Sequence, residues 1–121
     1  MRTIIIPNDT LPSWNKWTNM RHWGIKQRMA EEWHLLVFQC CKEQKVAPIN
    51  KIGRLIEVTI KCYFKSRAKA LDPDNICAKI AIDGLKGIVI KDDNLDHIKR
   101  VSTESYVDRD NPRTEIIISF I

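Results

Sequence analysis

IEVTIKCYFKSRAKALDPDNICAKIAIDGL, residues 56–85, decides what kind of fold this chain can make. Its first nine residues alternate: Ile56, Val58, Ile60, Cys62 and Phe64 fall on one face, while Glu57, Thr59 and Lys61 fall on the other. That period of two predicts a strand with one buried face. From Asp72 the period changes. Asp72 is placed to cap a helix, Pro73 suits a first helical position because it has no N–H to leave unpaired, and Ile76, Ile80, Ala81 and Leu85 recur on one side. Gly87 supplies a left-handed stop.

Upstream, residues 2–6 read as a strand stopped by Pro7. The apolar positions Ile25, Met29, Trp33, Leu36, Val37 and Cys40 predict a helix over about 23–44. Downstream, residues 88–90 form a short strand or extended turn, and 97–107 and 114–121 read as strands joined by DRDNPR. The order strand, helix, strand, helix, short strand, strand, strand gives an α/β or α+β class with a mixed β-sheet and two main helices. The 121 residues fit one domain, 1–121, and a hydrophobic content of 44% excludes a disordered chain. No apolar run is long enough to cross a bilayer, and the N-terminus does not read as a signal peptide, so a cytoplasmic location is expected. Cys40, Cys41, Cys62 and Cys77, with His22, His34 and His97, show no zinc spacing, and Cys40 and Cys62 fall on apolar faces as buried thiols.

Charge separates the two parts of the chain. Residues 1–71 hold 13 Lys/Arg against 5 Asp/Glu, whereas residues 72–121 hold 7 against 10. A basic surface with an acidic spot is the combination a nucleic-acid enzyme needs, because cations hold the phosphate backbone and carboxylates hold the metal that cuts it. Asp72 and Asp74 lie at a strand-to-helix junction, and Asp92 and Asp93 follow the next short run. If they meet, they form an all-oxygen site suited to Mg²⁺ or Mn²⁺ and to phosphodiester hydrolysis. Taken singly, each has a structural alternative: a helix cap for Asp72, a helix-dipole partner for Asp74, a solvated turn for KDDN. An EF-hand fails, because His97 stands where glycine is needed and Thr103 where a bidentate glutamate is needed. Lys79 lies four residues before Asp83, which fits either a surface ion pair or a phosphate contact. Trp14, Trp17 and Trp23 interleave with Lys16, Arg21, Lys26 and Arg28; core or dimer-interface packing is the first reading and base stacking the second.

DPDN, then Lys79, DGL, KGIVI and KDDN, together with LPSWNKWTNMRH at 11–22, resemble the RusA family of Holliday-junction resolvases of bacteria and their phages. The resemblance spans roughly residues 11–94. It implies Asp72, Asp74 and Asp93 as essential carboxylates, Asp92 as neighbour or extra ligand, Lys79 as the essential lysine, and architectural roles for Asn75 and Asp83. Four residues separate Asp74 from Lys79 here, where a bacterial form of the family has three. Lys16, Arg21, Lys65, Arg67, Lys69 and Asn75 are the expected DNA contacts. A homodimer acting on four-way DNA with Mg²⁺, and no organic cofactor, is what the resemblance implies; a junction of near two-fold symmetry needs two nicks and so two copies. A non-catalytic basic dimer that binds branched or double-stranded DNA is the alternative, and an RNA nuclease is a more distant third.

Overall fold

The computed structural model describes residues 1–49 and 54–121. Four strands form one mixed sheet: β1 (Arg2–Pro7), β2 (Ile56–Phe64), β3 (Ile98–Val107) and β4 (Arg113–Phe120), in the order β1-β4-β2-β3. β4 runs antiparallel to both β1 and β2, while β2 and β3 are parallel. Among the described residues three α-helices complete an α+β fold: α1 (Trp14–Thr18), α2 (Trp23–Glu43) and α3 (Ala78–Leu85).

The alternation read at 56–64 is realised residue by residue, since Ile56, Val58, Ile60, Cys62 and Phe64 are buried and their intervening neighbours are half-buried. The same face continues across the sheet, where Val58 lies opposite Ile118 and Ile4 opposite Ile116. Trp33, Val37, Cys40 and Cys41 of α2 and Ile80, Ala81 and Leu85 of α3 complete the core. The helices touch at Gly84, where a Cβ would meet the Val37 Cγ2 at 3.1 Å. Ile25, expected on the apolar stripe of α2, is instead exposed, because the helix reaches the core only from Met29 onward. Burial raises the thiol pKa values of all four cysteines, that of Cys41 to about 11, so they are poor nucleophiles.

Two segments depart from the sequence reading. The helix expected from Pro73 is broken into a 3₁₀ turn, Pro73–Asn75, and α3, with Ile76 and Cys77 between them in non-helical conformations. The N-terminal loop is the cause: Cys77 N–H donates to the Pro12 carbonyl at 2.9 Å, and Ser13 bridges Ile76. Residues 88–90 form no strand of the sheet. They curl back on α3, with Val89 and Ile90 donating to the Leu85 carbonyl and Gly87, at φ +77°, turning the chain after the helix.

A parallel strand pair needs a crossover, and α3 is that crossover. The connection entering it carries Asp72 and Asp74, and the connection leaving it carries Asp92 and Asp93. No helix among the described residues is long and apolar enough to cross a membrane.

Candidate nucleic-acid site

The entry side is held from both flanks. Thr103 and Ser105 of β3 donate their hydroxyls to the Pro73 and Leu71 carbonyls, and the N-terminal loop takes the Cys77 amide. That loop is itself fixed by the buried Thr114 hydroxyl, which donates to the Asp9 carbonyl at 2.8 Å. On this braced segment Asp72 and Asp74 are exposed. Asp72 occupies the cap position of the 3₁₀ turn yet its side chain makes no capping bond, so the capping role open to it in the sequence is not taken up. Neither carboxylate has a hydrogen-bond or ion-pair partner among the described residues.

The exit side is differently employed. Lys86 reaches Asp93 at 3.0 Å and Asp83 at 3.6 Å, and Asp83 in turn pairs with Lys79 at 3.1 Å. Lys79 thus makes the ion pair that its spacing allowed, with half of its side chain still in solvent. The hydrogen bond from Lys86 holds the Asp93 carboxyl below its ordinary pKa, and Asp93 holds Lys86 above its own. Asp92 accepts from the Asp93 amide at 2.7 Å and from the Asn94 side chain at 3.3 Å. Lys86 opens the KGIVI stretch but has no role of its own in the sequence reading. Its spacing of three from Asp83 was visible, but its partnership with Asp93 depends on the turn at Gly87.

Lys86→Gln is expected to return the Asp93 pKa upward toward the ordinary carboxylate value, read as the pH midpoint of its side-chain ¹³C signal. Because the folded pKa is depressed, the tie contributes above the unfolded carboxylate pKa and is lost as pH falls through the folded one. An unchanged midpoint in the variant would show that Lys86 does not set it.

Along the chain the two acidic pairs flank α3, Asp72 and Asp74 before it and Asp92 and Asp93 after it. Among the described residues no three His, Cys, Asp or Glu side chains are grouped so as to hold a metal ion. In chemistry the Asp set suits a hard divalent cation.

The basic residues are gathered more closely. Lys16 from α1 and Lys65 and Lys69 from the loop after β2 line one groove of about 520 Å³, which also reaches Leu71, the residue before Asp72. The loop is shaped by Lys69 N–H donating to the Ser66 hydroxyl and Ala70 N–H to the Arg67 carbonyl. Arg21 and Arg67 are exposed outside the groove lining, and the Asn75 amide donates to the Asp72 carbonyl at 2.9 Å. Trp14 and Trp17 pack partly buried against the core, Lys26 lies over the Trp17 ring at 5.1 Å, and Trp23 is exposed.

The described residues form an α+β domain in which a lysine-lined groove takes in the residue before Asp72. The model of the family described as Endodeoxyribonuclease RusA matches residues 9–119, and the chain belongs to that family. It is a family of endonucleases that resolve Holliday junctions and are generally dependent on divalent metal. No curated protein and no solved structure is matched by the chain.

Proposed function

We propose that this chain is a Mg²⁺-dependent, structure-selective endodeoxyribonuclease that resolves four-way DNA junctions by paired symmetric nicks, with Mn²⁺ able to replace Mg²⁺. One observation carries the reading: the groove that unites Lys16, Lys65 and Lys69 also takes in Leu71, the residue before the exposed Asp72, so a strand held there by its phosphates would lie close to that carboxylate. Asp72 and Asp74, with Asp93 and Asp92, are the residues that would hold the cation. When bound, such an ion makes water nucleophilic at neutral pH and offsets the charge of the phosphodiester under attack.

The chain's own residues supply the rest. Lys16, Lys65 and Lys69 position the backbone, and Lys79, half exposed in the first turn of α3, is the candidate contact to the scissile phosphate once it exchanges Asp83 for that anion. Asp93 must likewise leave Lys86 to serve as a ligand. Since the described residues of one chain group no three metal-binding side chains, we assign completion of each site to a homodimer, which the symmetry of the substrate already requires.

A second reading has an observation of its own. The described residues of one chain group no three metal-binding side chains, as a basic dimer that binds branched or double-stranded DNA without cutting it would also do. A labelled four-way junction incubated with the protein in Mg²⁺ and in EDTA separates the two. Symmetric nicks in Mg²⁺ alone are expected; a shifted but intact junction under both conditions would establish the binding protein. A matching RNA junction cut at an equal rate would instead make the activity a general nuclease.

A further inference from the structure

We propose that the lysine-lined groove is also a base pocket, which takes one unstacked nucleobase from the strand that its lysines hold. This rests on the reading of the chain as a protein of branched DNA, but it assigns to the groove a task beyond phosphate binding.

The argument is in the lining. A surface that only tracks a backbone needs cations and hydrogen-bond donors on a shallow face. This groove is open and has a partly apolar lining: Met29, Trp33 and Phe64 reach it from α2 and the end of β2, while Lys16, Lys65 and Lys69 line it with exposed side chains. A lining that joins apolar side chains with cations complements a nucleotide within a strand, whose flat base has weakly polar faces and whose phosphates lie on either side of it. The volume of about 520 Å³ lies within the range of roughly 300–1,000 Å³ typical of small-ligand sites, enough for a base with its sugar.

Branched DNA supplies the occupant at low cost. Extruding a base from an intact duplex costs stacking and pairing, and that cost is least where pairing is already disturbed, as at a branch point. The walls are also fixed in advance. The N-terminal loop is held by Thr114 through Asp9, and the 65–71 loop by its own turn hydrogen bonds and by Ser105, so little ordering is needed when the base enters. A base seated there would register the strand, placing a particular phosphate close to Asp72 and making the choice of nick position a property of the pocket.

The test uses four-way junctions carrying 2-aminopurine at successive positions around the branch point, bound to the full chain in EDTA so that strands stay intact. A fluorescence change of severalfold at one position per cut strand is expected. It should disappear in Met29→Trp, which fills the groove while keeping every lysine. An abasic site at that position should weaken junction binding by the wild-type protein on the order of tenfold. This measurement decides the matter even if Met29→Trp does not fold. Silence at every position, a signal that persists in folded Met29→Trp, or an abasic junction bound as tightly as the intact one would each overturn the base pocket. Mg²⁺-dependent nicking could still be observed in any of those cases, and its absence with the 2-aminopurine signal intact would sink the nuclease reading alone.

Discussion

Asp72→Asn and Asp74→Asn are each expected to lower Mg²⁺-supported junction cleavage by on the order of a hundredfold or more, while junction binding in EDTA is kept or slightly strengthened. The two halves of this expectation have separate physical origins. Cleavage falls because an amide offers a neutral oxygen where a hard cation needs an anionic one. Binding does not fall, because removing a negative charge beside a polyanion reduces repulsion. The fold should be indifferent: both side chains are exposed and neither has a hydrogen-bond partner among the described residues, so stability should move by no more than about 0.5 kcal/mol. Asp83→Asn is the internal comparison, because that carboxylate pairs with Lys79 and Lys86 and its loss releases Lys79 while Lys86 keeps Asp93. Gel-based nicking rates, band shifts in EDTA and thermal melts on the same preparations give the three readouts. Wild-type cleavage by Asp72→Asn would remove that residue from the site, and weakened binding would mean that the substitution had disturbed the groove instead.

How far the sequence could be read depended on whether a signal was local. Strand β2 was legible because its alternation is unbroken over nine residues and one face is buried throughout, which is the condition under which a period of two survives folding. The lysines 16, 65 and 69 could be nominated singly from their basic surroundings, but their union in one groove is a tertiary fact that depends on Thr114 and Ser105 holding two loops. The helix expected from Pro73 misled for the same reason. Asp72 and Pro73 carry a sound local start signal, yet the Pro12 carbonyl takes the Cys77 amide and ends that helix before it begins. The acidic set shows the limit most clearly. Sequence placed Asp72 and Asp74 before one predicted helix and Asp92 and Asp93 after it, but no pattern in the chain states that the turn at Gly87 lets Lys86 tie Asp93.

Replacing Lys16, Lys65 and Lys69 together by Gln is expected to weaken junction binding roughly a hundredfold near physiological salt, and to do so in a recognisable way. Each lysine that neutralises a phosphate releases a counterion, so the slope of log affinity against log salt should become shallower by about 0.7–0.9 per residue, and by about two to three for the triple variant. A loss of affinity through misfolding would lack that slope change. All three side chains are exposed and line the groove without an ion-pair partner among the described residues, so the fold has little to lose. The decisive comparison is Arg21→Gln with Arg67→Gln, two equally exposed cations that lie outside the groove lining. If the strand follows the groove toward Asp72, this double variant should alter the slope by much less per residue than the lysines do, because cations off the track stay hydrated in both states. An equal loss per charge from the arginines would mean that DNA is held by a diffuse basic surface. The groove would then have no privileged role in carrying a phosphate to the carboxylates.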